Sequence, residues 1–325
     1  MRPGTDFRRL LLALALLALP ALASAGLSGQ AGTSGAQFLK LGAGGRAGGM
    51  ADAFSAIADD AYASYYNPAG LSQLKEPQIG GAHTAYFQGI NYEVVDFAYP
   101  WGIEKDYSRH ALSLGVYQLS VSGIQRFTSD STDNVGTFNA SDAAYALTYG
   151  HAVTRRLSAG VTAKYISQTL DSYHSSAYTF DGGVLYHMNP DAARPVTFAA
   201  VVKNFNMGLS RTGYAAGNSD PLPMEVTFGA ASPVVPKRIN VDFEVSQYRD
   251  SNPFVSLGAE YMTQINEALG TALRLGYTSQ RSDSAGLNGL SMGAGLSFKK
   301  ASFDFAWVPF GNLGDTFRYS LLVKF

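Results

Sequence analysis

Apolar and polar residues alternate along much of this chain. The segment 239–246 reads Ile-Asn-Val-Asp-Phe-Glu-Val-Ser, and the same period of two recurs in 255–261, 273–278 and 302–307. Successive residues of a β-strand point to opposite faces, so each segment has one apolar and one polar face. In a soluble sheet the apolar face is buried in a core, whereas in a membrane barrel it contacts lipid. The alternation alone leaves both alternatives open.

Strand length and number favour the membrane barrel. The segments run for about 9–12 residues, which suits a tilted strand crossing a bilayer, against about 5–6 residues in soluble sheets. Their polar faces use Gly, Ser and Thr as often as charged residues, as a crowded lumen requires. We predict fourteen strands, at 78–88, 91–101, 109–121, 141–151, 156–170, 177–188, 195–205, 222–232, 238–248, 254–264, 270–281, 288–298, 301–310 and 316–325.

The predicted connections also differ in length. Long polar loops follow the third strand, at 122–140, and the seventh strand, at 206–221. The turns at 154–155, 236–238 and 299–300 are short. Short periplasmic turns and longer extracellular loops are typical of outer-membrane barrels, and this order places both termini in the periplasm.

The final strand resembles a known assembly signal. Apolar or aromatic residues occupy every second position up to a terminal aromatic residue, as in the segment by which bacterial outer-membrane barrels are recognised for assembly. The resemblance implies the barrel-assembly machinery as a partner and outer-membrane lipid as the surroundings. The residues concerned are Phe317, Tyr319, Leu321, Val323 and Phe325.

Composition excludes several classes of protein. The chain is 46% hydrophobic and only 15% charged, which argues against disorder and is below the roughly 25% charge of soluble domains. Without cysteine it has no disulfide framework, thiol-ligated metal or lipoprotein anchor. Lys plus Arg number 24 against 25 Asp plus Glu, so nothing favours nucleic acid as a partner. Beyond the leader, no stretch approaches the 18 or so apolar residues of a membrane-spanning helix.

The first 25 residues predict export. Arg2, Arg8 and Arg9 precede the apolar run 10–19, and small residues at 23–25 close it. This order of a positive start, a short apolar core and a small-residue cleavage site is that of a secretory signal peptide. The apolar run is too short for a membrane anchor.

The segment before the first strand differs from the rest. Met50, Ala53, Phe54, Ile57 and Ala61 fall at helical spacing, which predicts short helices. The Asn-Pro pair at 67–68 should end the last helix, because the residue before proline is pushed out of the α region. Its many small residues suit a compact plug inside a barrel. The expected division is a cleaved signal peptide 1–25, a helical hatch 26–76 and a transmembrane β-barrel 77–325.

The hatch resembles a known family. Residues 45–47, 49–50, 53–54, 58–60 and 66–71 are similar to the N-terminal signature of PorV/PorQ-type outer-membrane proteins. Those proteins belong to the superfamily of the FadL fatty-acid channel, fourteen-stranded barrels with an N-terminal hatch. The chain departs from the family at 51–52, where Ala-Asp stands in place of the usual Gly-Gly. The resemblance implies a hatch motif of Arg46, Met50, Phe54, Asp59, Asp60, Asn67, Pro68 and Gly70.

The titratable residues do not indicate an enzyme. Asp59 and Asp60 are adjacent, so they would not converge as a catalytic pair, and we expect them to cap a helix or pair with Arg46. No motif indicates a Ser–His–acid triad, and the glycines at 42–49 lack the context of a phosphate loop. We expect no cofactor and no metal, because none of the histidines has metal-type spacing. These are His83, His110, His151, His174 and His187.

Charged residues recur on the predicted lumen face. Because both signs are present in similar number, the favoured interpretation is a lining whose charges pair internally and with the hatch. The alternative is that some of them orient the headgroup or carboxylate of a ligand. The main candidates are Lys164, Asp242, Glu244, Glu260, Arg274, Asp304 and Arg318, with Glu225 and Lys324 on the same face.

Two functions from different classes remain open. FadL-like members of the superfamily pass hydrophobic molecules laterally into the membrane, and here loop residues Met207, Leu209 and Tyr214 would capture the ligand. PorV-like members serve type IX secretion by carrying cargo signals, so the partner would be a secretion-system protein. A barrel enzyme is the least favoured alternative.

Overall fold

The computed structural model describes residues 32–128, 131–206, 220–281, 287 and 289–325. The predicted signal peptide and the loop residues Met207, Leu209 and Tyr214 lie outside these ranges.

The described residues form a closed barrel of fourteen antiparallel strands, which confirms the predicted fold class. Each strand pairs with its neighbours in sequence, and β1 pairs with β14 to close the ring. The strands are β1 Gln78–Ala85, β2 Asn91–Ile103, β3 Ser108–Thr128, β4 Ser131–Ala152, β5 Leu157–Leu170, β6 Tyr173–Met188, β7 Val196–Phe205, β8 Glu225–Val235, β9 Ile239–Tyr248, β10 Phe254–Gln264, β11 Leu269–Thr278, β12 Leu290–Phe298, β13 Ala301–Pro309 and β14 Asp315–Lys324.

The exposure of side chains on the two faces of the wall shows that the apolar residues of the alternating pattern point outward and the polar residues point inward. Leu114, Tyr145 and Leu273 point outward and are 57%, 51% and 63% exposed, whereas Ser113 and Thr148 point inward and are buried. A soluble sandwich would bury the apolar set instead. A continuous apolar exterior of this size requires an apolar environment. No helix in the described ranges has both the length and the apolar character to cross a bilayer.

The two ends of the barrel differ. One end, called here the turn rim, carries short turns such as 153–156, 236–238 and 299–300. Pro77 and Phe325 meet at this rim, where the Phe325 N–H donates to the Pro77 carbonyl at 3.1 Å. The opposite end, called here the loop rim, carries the connections 206–224 and 279–289.

The hatch lies inside the lumen. Met50, Phe54 and Leu71 are at most 1% exposed, although they belong to a segment with little regular structure. The described residues of the hatch contain two four-residue α-helices, α1 Gly45–Gly48 and α2 Ala63–Tyr66, and the 3₁₀ helices Gln37–Lys40 and Pro68–Gln73. Further 3₁₀ turns occur in the loop-rim connections at Phe87–Gly89, Ser279–Arg281 and Gly311–Leu313.

The hatch contains short helices as predicted, but none forms at Met50 to Ala61, the positions from which they were predicted. This stretch is a series of turns, and its apolar spacing reflects burial on all sides rather than one helical face. Ala51, Asp52 and Ala58 have φ values of 55°, 60° and 26°, which a right-handed helix cannot contain. The helix end at 67 is as predicted, because α2 stops at Tyr66 and the next residue is extended.

The predicted loop 122–140 is also wrong. β3 and β4 continue to pair with each other beyond the ends of β2 and β5, for example at Ile124 and Phe138. Residues 121–128 and 131–139 therefore form a two-stranded extension, called here the ribbon. Gly123 and Gly136 have positive φ values of 73° and 143°, and pairing shifts register nearby, as at β-bulges. The polar composition of the segment concealed the continued pairing.

Close packing of the hatch depends on glycines in the wall. A Cβ added to Gly160 would lie 2.3 Å from the backbone carbon of Pro68, and one added to Gly183 would lie 2.1 Å from Asn67 Oδ1. Real Cβ atoms essentially never approach so closely. The turn at 67–68 can therefore pack this closely against the wall only because the facing wall residues are glycines.

Gly160→Ala should destabilise the protein while Gly182→Ala should not. Overpacking typically costs about 1–3 kcal/mol, and the backbone of Pro68 cannot move without displacing the hatch. A Cβ on Gly182 meets nothing within 4 Å. Urea unfolding in detergent, followed by the mobility shift of folded barrels, measures both variants. Equal stability of the two variants would contradict this packing.

Candidate functional site

The hatch is held to the wall by a cluster around Arg46. Its position on α1 aims the guanidinium at Glu260 of β10, to which Nε and Nη2 donate in bidentate fashion at 2.9 Å each. Nη1 donates to Asp59 at 2.5 Å and to Asp60 at 3.0 Å. Bidentate guanidinium–carboxylate pairs add geometric specificity to charge attraction. One hatch residue thus joins the wall to its own turn.

The cluster continues into the wall. Arg274 Nε donates to Glu260 Oε1 at 2.8 Å, and Arg274 Nη1 lies 2.8 Å from Asp304 Oδ1. Glu260 is therefore shared by two guanidinium groups. Burial raises the pKa of Asp60 to about 6, although the charge of Arg46 opposes this shift. Asp60 is thus a weaker ionic partner of Arg46 than its distance suggests.

A second anchor joins the hatch to β14. Arg318 donates to Asp52 through Nη1 at 2.7 Å and Nη2 at 3.0 Å, and the Tyr66 hydroxyl donates to the same carboxylate at 2.7 Å. Asp52 has the positive φ that Gly adopts at least cost. Asp52 is therefore the hatch residue that holds this anchor.

A third anchor uses the hatch backbone. Glu244 accepts hydrogen bonds from the N–H groups of Phe54 at 2.9 Å and Ser55 at 2.5 Å. Asp242 lies two residues earlier on the same inward face and is fully buried. These carboxylates on β9 face the turn that leads away from Asp52.

The Asn-Pro element has a structural role. The Asn67 side chain donates to the carbonyls of Ser55 at 3.0 Å and Val184 at 3.3 Å, and it accepts from the Ala69 N–H. A Cβ on Gly70 would lie 2.3 Å from the Ala58 carbonyl oxygen. The Asn67-Pro68 element thus fixes two hatch turns to each other and to the wall.

Two further pairs of opposite lumen charges lie within the wall. Lys164 lies 2.5 Å from Asp181, and Lys203 lies 2.8 Å from Glu225. Lys324 is exposed at the turn rim. The sequence interpretation missed Asp181 and Lys203, although both fall at alternate inward positions of β6 and β7 and could have been found from that parity.

An outer cavity lies between the hatch and the loop rim. It has a volume of about 280 Å³. Three of its four cations, Lys40, Lys203 and Arg318, are each within 2.8 Å of a carboxylate oxygen. The fourth, Arg281, lies over the Phe310 ring at 5.2 Å from its centroid. The Lys203 ammonium also lies 4.9 Å from the centre of the Tyr65 ring. The aromatic lining of the outer cavity consists of Tyr65, Tyr66, Tyr86, Tyr248, Phe254 and Phe310.

An inner cavity lies on the other side of the hatch. It has a volume of about 610 Å³ and reaches the turn rim at Lys237, Lys299 and Lys300. Asp59 and Asp60 line it where it meets the hatch. The Arg46 cluster therefore faces the inner cavity and the Asp52–Arg318 anchor faces the outer one.

The other predicted residues lie away from the lumen. The proposed assembly-signal residues lie on the outer face of β14, where Phe317, Leu321 and Phe325 are 37%, 51% and 55% exposed. Among the histidines, His110 and His151 are brought together by the register of β3 and β4. The sequence did not indicate this pair, because the two histidines are far apart along the chain.

Neutralising Glu260 should cost far more than neutralising Asp60. Glu260→Gln leaves two buried guanidinium groups without their shared charge, and breaking a buried pair costs about 3–5 kcal/mol. Asp60→Asn removes a charge that burial already disfavours, and the amide oxygen can still accept from the Tyr62 N–H. The free energies of unfolding of the two variants measure the difference. A loss for Asp60→Asn as large as that for Glu260→Gln would contradict the central position of Glu260.

The N-terminal part of the chain matches a family known from sequence. A family model described as an uncharacterised protein family, UPF0164, matches residues 19–171, a little under half of the chain. The match includes the hatch and the first strands of the barrel. Among curated proteins, none is significantly similar in sequence.

Solved transporter structures share the fold. The toluene transporter TbuX of Ralstonia pickettii is 13% identical with a TM-score of 0.57, covering 87% of this chain and 98% of that chain. The toluene transporter TodX of Pseudomonas putida is 10% identical with a TM-score of 0.53, covering 86% and 96%. A FadL homologue of Pseudomonas aeruginosa is 11% identical with a TM-score of 0.52, covering 87% and 98%. The chain therefore has the fold of FadL-like barrels.

Proposed function

We propose that this protein is an outer-membrane channel, not an enzyme, that carries small hydrophobic molecules past its hatch, with the turn rim in the periplasm. The observation that carries the proposal is the outer cavity, which has aromatic walls and a floor formed by the hatch. The cavity lies in a barrel whose fold is shared with two toluene transporters. The apolar exterior suits the hydrocarbon region of a bilayer.

The size of the cavity favours a compact ligand. An apolar cavity of about 150 Å³ is enough to bind benzene, and drug-sized ligands occupy pockets of about 300–1,000 Å³. At about 280 Å³ the outer cavity suits a molecule built on one aromatic ring. A long-chain fatty acid is the less favoured ligand, because its chain would extend beyond this volume.

The charges of the cavity favour a neutral ligand. Lys40 is paired with Asp250, Lys203 with Glu225 and Arg318 with Asp52. An anionic ligand at Lys40, Lys203 or Arg318 would have to displace a carboxylate from its partner. An uncharged aromatic ligand can instead pack against the tyrosine and phenylalanine rings.

We expect movement of the hatch to be the step that releases a molecule from the outer cavity. The outer and inner cavities lie on opposite sides of the hatch, so a molecule leaves the outer cavity when a hatch anchor opens or the wall parts. The pairing of β6 with β7 is irregular between Phe180 and Gly182, near the cavity residue Lys203 of β7. Asn204 forms the bulge there, with a φ of 57°.

A disulfide between the hatch and the wall tests this step. A Cβ built on Gly229 lies 3.4 Å from Ala56 Cβ, close to the lower end of the roughly 3.5–4.5 Å range of disulfides. The chain has no cysteine of its own, so Ala56→Cys with Gly229→Cys supplies the only thiol pair. Oxidation should reduce uptake of radiolabelled toluene to the level of cells without the protein, and a reductant should restore it.

The single-cysteine variants are the matched controls and should take up toluene at the wild-type rate in either redox state. Uptake at that rate by the locked double variant would contradict hatch movement. If wild-type protein increased neither toluene nor oleate uptake in a host without its own hydrocarbon channel, the channel function itself would be wrong.

The ribbon favours a second candidate function, a scaffold of the PorV type. It extends past β2 and β5, and its Phe127 and Val135 are 55% and 51% exposed. Extended strand pairs of this kind can add a strand from a partner protein. Replacing 122–139 with a tight turn should then abolish binding of a secretion-system protein while leaving toluene uptake intact. Recovery of the same partner with and without the ribbon would contradict this role.

A further inference from the structure

His110 and His151 face each other on the outer wall near the turn rim. They are directly opposite in the β3–β4 register, and both occupy outward positions of their strands. Their Nδ1 atoms are 3.3 Å apart, and the ring centroids are 4.9 Å apart. The two nitrogen atoms that could bind a ligand therefore point into one shared space.

The separation of the two nitrogen atoms fits a tetrahedral metal ion. Zinc binds histidine nitrogen at about 2.0–2.1 Å with tetrahedral angles, which places two such nitrogens about 3.3–3.4 Å apart. Imidazole is a common ligand of zinc, copper and nickel. The distance between the Nδ1 atoms of His110 and His151 thus matches the distance between two ligands of such an ion without movement of either strand.

Neighbouring groups add oxygen atoms to this space. The Tyr149 hydroxyl lies 2.7 Å from His110 Nδ1, and the Arg109 carbonyl oxygen lies 2.9 Å from His151 Nδ1. Ala159, opposite His151 on β5, leaves room beside the ring. No cluster of three or more His, Asp or Glu suited to a metal occurs among the residues that the structure describes. A metal here would therefore complete its shell with water, which Tyr149 and the Arg109 carbonyl can hydrogen-bond.

The aromatic belt of a membrane barrel does not by itself require this arrangement. Trp101 stacks on His110 at 5.3 Å between ring centroids, and Trp101 and Tyr149 are 40% and 36% exposed. Such side chains are usual at the edge of the bilayer. A belt needs aromatic surface at this depth, but it does not need two imidazole nitrogens aimed at one point.

We propose that His110 and His151 form a binding site for one divalent transition-metal ion, with zinc as the reference ion. The ion would join β3 to β4 at the turn rim, at the opposite end of the hairpin from the ribbon. Because binding replaces a proton on the ligating nitrogen, both imidazoles would carry their remaining proton on Nε2. The site is independent of the hatch and of the proposed channel function.

Calorimetric titration of zinc chloride into tag-free protein in detergent tests the site. Wild-type protein should bind one zinc ion per chain with saturation, and both His110→Gln and His151→Gln should lose this binding. His174→Gln is the matched control, because His174 is exposed on the same face of the wall but contacts Thr169 rather than a second imidazole. It should bind zinc as the wild type does.

Two further readouts separate the site from nonspecific binding. Cobalt should give the visible absorption of tetrahedral coordination in the wild type and not in His110→Gln, and the heat-shifted mobility of all variants should show that they are folded. Absence of saturable zinc binding by the wild type would overturn the proposal. Equal binding by the wild type, His110→Gln and His151→Gln would overturn it as well.

Discussion

The bidentate contact between Arg46 and Glu260 is the interaction on which the interior of this barrel depends. Eight strands give a lumen that wall side chains can fill, whereas fourteen give a wider one. The inward residues of this wall are polar, and buried charges are tolerated only when they are paired. The hatch supplies both the volume and the opposite charges. Without it, Glu260 would lose one of its two guanidinium partners and Arg318 would lose its carboxylate.

The barrel could be predicted from the sequence because the side chains of a barrel strand alternate between the lumen and the exterior. Period-two alternation reports which residues face inward, so the lumen positions of Glu260, Arg274 and Arg318 followed from parity alone. The hatch obeys no such rule, since it is buried on all sides and the helical spacing around Met50 did not reflect a helix. The ribbon and the His110–His151 pair depend on register between strands, which a single sequence does not contain.

The anchors also bear on the selectivity of the proposed channel. The hatch is held by ion pairs and by the Asn67 turn, which packs against wall glycines. Three of the four cations of the outer cavity are paired with carboxylates, so an uncharged ring can contact the aromatic lining there without breaking an ion pair. In the proposed channel, passage would require a local rearrangement of the hatch, which would link the stability of the plug to the rate of transport.

Hydrogen exchange at the hatch amides tests this link most directly. The N–H groups of Phe54 and Ser55 are bonded to Glu244 and buried, so they should exchange slowly in the protein alone. If the hatch moves to admit a ligand, saturating toluene should accelerate exchange at these two amides while strand amides of β9 stay protected. Unchanged protection of Phe54 and Ser55 during active toluene uptake would contradict the hatch as the moving part.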